Sequence, residues 1–152
     1  MKLYMLRHGR ADWPDWDRPD DERPLTERGR KELHRMVKYL RGLKISPAII
    51  LSSPLPRAWQ TAEIAAKYLQ LEMLREDGLK KGFDVAKLRR MLKPHDGDDV
   101  MIVGHEPDFS AVIRTLTGGR VKLAKGGLAL LELPAEMEKA RLRWLLPPKA
   151  AR

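Results

Sequence analysis

Leu3-Tyr4-Met5-Leu6-Arg7-His8-Gly9 runs four apolar, β-prone residues straight into a guanidinium and an imidazole. So short an apolar run reads as a buried strand that ends at Arg7. Two later stretches repeat the arrangement. Ala48-Ile49-Ile50-Leu51 leads into Ser52-Ser53-Pro54, and Val100-Met101-Ile102-Val103 ends at Gly104-His105. The segments between them have the other period. Leu33, Met36, Val37, Leu40 and the flanking Leu43 follow i, i+3, i+4, i+7 and predict an amphipathic helix over 27–42. Thr26 suits its N-cap and Glu27 its first turn. Pro56 fits the first turn of a helix running to about Leu69, and Pro107 the start of one through Leu116 that Gly118-Gly119 would end. Residues 84–93 also read as helical.

The rest is less regular. Residues 10–25 hold Trp13, Pro14, Trp16, Pro19 and Pro24 and predict a long surface loop. A short strand is expected around Glu72-Leu74, and two strands joined by a turn over Leu128–Leu133 and Arg141–Leu146. Alternating strands and helices predict an α/β fold: a three-layer sandwich with a mostly parallel central sheet flanked by helices. In such sheets ligands bind beyond the carboxyl ends of the strands. Arg7-His8, Ser52 to Arg57 and Gly104-His105 all fall there.

Composition sets the outer bounds. The chain has 152 residues, 43% hydrophobic and 34% charged, a globular balance expected to form one domain over 1–152. No apolar run approaches the roughly 18 residues of a membrane span, and the N-terminal apolar run is too short for a signal-peptide core. With 0 Cys, disulfides, zinc–thiolate sites and cysteine nucleophiles are excluded, and a cytoplasmic location is expected. The net charge of +9 predicts attraction to phosphates, nucleic acids and acidic proteins. Basic residues divide evenly between the halves. The dense segment Lys80, Lys81, Lys87, Arg89, Arg90, Lys93, against Asp84, reads mainly as a solvated helix face, with a docking patch as the alternative.

If Arg7, His8, Arg57 and His105 converge, two guanidinium forks and two imidazoles face one cavity. Arg grips phosphate oxygens bidentately, and the amides opening the helices after Pro56 and Pro107 add partial positive charge. A neutral imidazole nitrogen is a nucleophile toward phosphorus. Phosphoryl transfer needs little beyond positioning and charge stabilisation. No metal or cofactor is expected: there is no H-E-x-x-H, no P-loop and no G-x-G-x-x-G.

Leu6-Arg7-His8-Gly9 resembles the RHG signature of the histidine phosphatase superfamily, which has the phosphoglycerate mutase-like fold. Ser52 to Ala62 resembles its S-x-x-x-R-x-x-Q-T-A motif, and Val103-Gly104-His105-Glu106-Pro107 its third. Arg23-Pro24-Leu25-Thr26-Glu27-Arg28-Gly29 and Trp144 to Pro148 are similar to the small bacterial phosphohistidine phosphatases of the SixA type. The resemblance implies that His8 is the nucleophile, that Arg7 and Arg57 hold phosphoryl oxygens, that a cationic His105 stabilises the transferring group, that Gly9 allows close backbone approach, and that Ser53 adds a hydrogen bond.

The resemblance leaves the general acid open. Larger members of the superfamily use a carboxylate in an L-x-E segment, which Leu74-Arg75-Glu76 matches; Glu106 and Asp12 are alternatives. Imidazole, whose conjugate acid has a pKa of about 6.5, leaves far more easily than an alkoxide. A phosphohistidine phosphatase can therefore manage with a weak or absent acid, while a phosphomonoesterase of a sugar or nucleotide phosphate cannot. Only 47 residues separate Arg57 from His105, which leaves no room for a large lid. The expected partner is thus a phosphorylated protein, with a small phosphate as the alternative and a mutase less favoured. Trp13 and Trp16 either flank the pocket or pack under their loop. A nucleic-acid-binding module is disfavoured by 6% aromatic content and the lack of a stacking motif. The sequence does not indicate an oligomeric state.

Overall fold

The computed structural model describes residues 1–136 and 138–151. Six strands form one mixed sheet: β1 (Lys2–Arg7), β2 (Ile49–Ser52), β3 (Met73–Arg75), β4 (Val100–Gly104), β5 (Leu128–Glu132) and β6 (Arg141–Leu146), in the order β3-β2-β4-β1-β5-β6. The pairs β2–β3, β2–β4 and β1–β4 are parallel; β5 lies antiparallel to both β1 and β6. Four helices cover the faces: α1 (Glu27–Gly42), α2 (Pro56–Leu69), α3 (Val85–Leu92) and α4 (Asp108–Thr117). The fold is the three-layer α/β sandwich expected.

Alternation along β1 shows how the layers form. Leu3 and Met5 point into a cluster with Leu88, Leu92, Phe109 and Ile113 of α3 and α4. Tyr4 and Leu6 point the other way, onto Leu33, Met36, Leu40 and Ala62 of α1 and α2. A strand covered on both faces has no polar alternation, which is why these strands read as continuous apolar runs.

Local signals set the helix ends. Thr26 Oγ1 accepts the Gly29 amide at 3.0 Å, and Asp84 Oδ1 accepts that of Lys87 at 2.9 Å. Each bond satisfies an amide that the helix itself cannot. Pro56 occupies the first turn of α2, and Gly118 ends α4 at φ 81°. A Cβ at Gly29 would lie 2.3 Å from the Arg10 carbonyl oxygen, so only glycine lets α1 pack this close to the loop leaving β1.

The topology positions the site. The chain leaves β1 toward α1 on one face and leaves the adjacent β4 toward α4 on the other. The carboxyl ends of these neighbours therefore form a crevice, as expected where connections part to opposite faces of an α/β sheet. Register is direct: Arg7 pairs with Gly104, and Ser52 with Val103. None of the described helices is long and apolar enough to cross a membrane.

Candidate active site

Three strand ends place the chemistry. The His8 amide donates to the Gly104 carbonyl at 3.1 Å, and the Ser53 amide to the Val103 carbonyl at 3.0 Å, so the residues just past β1, β2 and β4 stay in register. The His8 and His105 rings lie 5.2 Å apart between centroids. His8, Arg57 and His105 are 8%, 4% and 4% exposed. Four of the sequence-predicted residues, His8, Arg57, His105 and Arg7, thus meet in one crevice.

The protonation of His8 follows from its partner. Nδ1 lies 2.7 Å from the Gly9 carbonyl oxygen. A carbonyl only accepts, so Nδ1 carries the hydrogen and Nε2 keeps its lone pair. Burial pushes the His8 pKa down to about 3, against the Gly9 hydrogen bond, and the nearby His105, Arg57 and Arg7 lower it further. The ring is neutral at physiological pH, as a nucleophile requires.

Ser53 Oγ hydrogen-bonds His105 Nε2 at 2.8 Å and accepts the Leu55 amide at 3.3 Å. Burial and then the Arg57 charge bring His105 to about 4, with Asp21 opposing. Without an anion beside it, the protein's own groups favour a neutral His105. A dianion beside it would supply the counter-charge that raises its pKa.

Arg57 Nη1 donates to the Asp20 carbonyl at 3.0 Å, and Nη2 lies 3.5 Å from Asp20 Oδ2. Arg7 Nη1 donates to the Leu123 carbonyl at 2.9 Å. Among the described residues, the buried side-chain nitrogens without a partner are Arg7 Nε, Arg23 Nε and His105 Nδ1. Two of the three belong to this crevice.

The carboxylates divide. Glu76 lines a cleft with Leu51, Lys87, Arg90 and Met91, and its amide donates to the Ser52 carbonyl at 2.8 Å. Glu106 accepts the Ser110 amide at 2.7 Å and the Ser110 hydroxyl, and its charge acts on Arg7. Asp12 is exposed in its loop. The indole N–H of Trp13 donates to Pro24 O and that of Trp16 to Pro19 O, which ties both rings to their own loop. The 80–93 segment is largely a solvated face: Lys81 pairs with Asp21 at 3.4 Å, and Lys87 caps Gly82 O.

The sequence did not single out Thr61, Gln60 or Asp20. Thr61 Oγ1 accepts the Gly9 amide at 3.1 Å and donates to Arg57 O at 2.7 Å. Gln60 Oε1 accepts the Leu25 amide at 2.8 Å. The Q-T pair of the second motif thus ties α2 to the loop and to the turn after β1. That motif was the available signal.

The fold and its cationic crevice define an α/β phosphatase. The model of the histidine phosphatase superfamily (branch 1) matches residues 3–81, and the chain belongs to that superfamily. An uncharacterised protein of Picosynechococcus sp. is 34% identical over 97% of this chain and 100% of its own length. Phosphohistidine phosphatase SixA of Escherichia coli is 30% identical over 78% of this chain and 76% of its own. The solved structure of the protein histidine phosphatase SixA with tungstate superposes at a TM-score of 0.89, with 26% identity and 100% of each chain covered. A mycobacterial glucosyl-3-phosphoglycerate phosphatase shares the fold at a TM-score of 0.72 and 19% identity, with 93% of this chain and 96% of its own covered.

Proposed function

We propose that residues 1–152 act as one metal-independent phosphatase domain that removes the phosphoryl group from phosphohistidine on a protein, by way of phospho-His8. The observation that carries this reading is the His8 tautomer. Nδ1 is committed to Gly9 O, and Nε2 is left bare in a crevice lined with positive charge.

The chemistry follows in two displacements. The Nε2 lone pair attacks phosphorus, and the bond from phosphorus to the substrate imidazole breaks. The substrate ring carries a proton on its other nitrogen, so the departing nitrogen keeps the bonding pair and leaves as neutral imidazole. Arg7, Arg57 and, once an anion faces it, protonated His105 spread the charge on the equatorial oxygens. Water then attacks phosphorus, loses its proton, and His8 leaves with the pair it first donated.

The leaving group supports the choice of substrate. An alkoxide departing from phosphorus needs a positioned proton donor. Imidazole as the leaving group needs none. The kinship with SixA points the same way. Glu106 is the observation that favours a second reading. Its carboxylate acts on Arg7, and a small-ester phosphatase would draw its acid from there.

The test is hydrolysis of a phosphohistidine protein and an aryl phosphate side by side, with EDTA present. The expected result is preference for phosphohistidine, abolished in His8→Ala and unchanged in Glu76→Gln and Glu106→Gln. Ester preference lost in Glu106→Gln would establish the second reading. Full activity in His8→Ala would overturn both.

A further inference from the structure

Beside the catalytic crevice, and sharing Arg7 with it, lies a cleft of about 600 Å³ with a strong bias of charge. Arg28 and Arg35 reach it from α1, Lys122 and Lys125 from the loop before β5, and Lys149 from the last 3-10 turn, Pro148–Ala151. Its one carboxylate, Glu32, is held by Arg10 Nε at 2.7 Å. Arg7, Arg28, Arg35, Lys122, Lys125 and Lys149 have no salt-bridge partner among the described residues. Like charges gathered without counter-charge oppose folding, and such a cleft concentrates anions.

The cleft is built onto the end of β1. The Gly126 amide donates to His8 O at 2.9 Å, and the Arg7 amide to Gly127 O at 3.0 Å. Together with the bond from Arg7 Nη1 to Leu123 O, these fix the backbone that carries Lys122 and Lys125 relative to His8. A ligand with its phosphoryl group at His8 would meet these cations next.

Their arrangement selects the kind of ligand. Arg28, Arg35, Lys122 and Lys149 are exposed and come from three separate elements. A compact second phosphate calls for convergent, buried donors like Arg57. Dispersed exposed cations suit carboxylates strung along a polypeptide, as at the charged rim of a protein interface. The cleft lining holds no aromatic ring on which a nucleobase could stack.

We propose that this cleft binds Asp and Glu side chains flanking the phosphorylated residue of the protein substrate. This deepens, and rests on, the protein-substrate reading above. The test uses two phosphohistidine peptides of equal length, one with Asp/Glu flanks and one with Ser/Asn flanks, and the small substrate phosphoramidate. In the triple variant Lys122→Ala, Lys125→Ala, Lys149→Ala, KM for the acidic peptide should rise about tenfold, three exposed charge pairs of ordinary strength. Its kcat, the neutral peptide and phosphoramidate should not change. Added salt should raise KM for the acidic peptide more steeply than for the neutral one. The pair Lys122→Glu, Lys125→Glu should turn the preference toward a Lys-flanked peptide, which a misfolded protein cannot do.

Equal effects on both peptides, no discrimination by the wild type, or tighter binding of an oligonucleotide of the same charge would each overturn the proposal. Fluorescence anisotropy with the unphosphorylated acidic peptide separates the two readings. If no phosphohistidine is cleaved, binding that the triple variant loses still upholds the cleft as an acidic-peptide site, and only the proposed reaction fails.

Discussion

Replacing Thr61 by Val keeps the shape of a fully buried side chain and deletes its hydroxyl. That hydroxyl accepts the Gly9 amide at 3.1 Å. Gly9 is buried, so its N–H would be left without an acceptor, at a cost of about 1–3 kcal/mol. For a chain of this size each kcal/mol lowers Tm by roughly 2–4 °C, so a drop of about 2–12 °C is expected. The effect on rate comes through the same residue. The Gly9 carbonyl holds His8 Nδ1–H at 2.7 Å, so loosening Gly9 frees the ring to rotate or change tautomer. A transition-state loss of about 1.4–2.8 kcal/mol is ten- to a hundredfold in rate. Rapid-quench measurement of phosphoenzyme formation in a single turnover reads that loss directly, and thermal unfolding reads the other. Thr61→Ser keeps the oxygen and should recover both. If Val lowers Tm and leaves the rate untouched, Thr61 supports the fold without orienting His8. If Ser behaves like Val, the lost methyl matters and the hydroxyl does not.

Two further outcomes follow from charge. His8 and His105 are held near about 3 and about 4, below the ordinary 6.5, mainly by burial. Unfolding lets both take protons, so stability should be full above pH 6.5 and fall as pH drops from there toward 3, by about 1.4 kcal/mol per pH unit for each imidazole in mid-range. Urea unfolding from pH 7 to 4 checks this; a slope as steep in His8→Gln/His105→Gln would refute it. Separately, Asp20→Asn removes a carboxylate competing for Arg57, so inorganic phosphate should inhibit two- to fivefold more strongly, the scale of one exposed ion pair. An unchanged or higher Ki would show that Asp20 orients Arg57 more than it repels anions.

What the sequence disclosed and what it hid divide along a physical line. Strands buried on both faces write themselves as apolar runs, and each ended within a residue or so of where it was read; the strand read at Glu72-Leu74 is Met73–Arg75. His8, Arg57 and His105 were legible because each sits just past such a run, inside a motif. Contacts made by tertiary placement were not. The Asp20–Glu22 turn belongs to a loop with no periodicity, and only packing brings Asp20 to Arg57. Glu76 fitted a three-residue pattern, and the structure sets it just after β3 beside Lys87 and Arg90. The basic segment that draws the eye, 80–93, is mostly solvated, while the cleft with real charge bias is assembled from residues up to 142 positions apart, Arg7 to Lys149.

The strand order has a consequence for how the enzyme comes into being. β1 and β2, which lead to His8 and Arg57, do not touch; each pairs with β4, made some fifty residues after β2. The last of the three strands to be synthesised is the wedge between the first two. Until it arrives, His8 and Arg57 are joined only through the Gly9–Thr61 contact and lack the strand that holds both in register, and the segment that matches the family, 3–81, ends before it. A nascent chain or a fragment cut short of His105 can carry two of the three signatures and still hold no assembled pocket. Activity should therefore switch on in one step, late in synthesis.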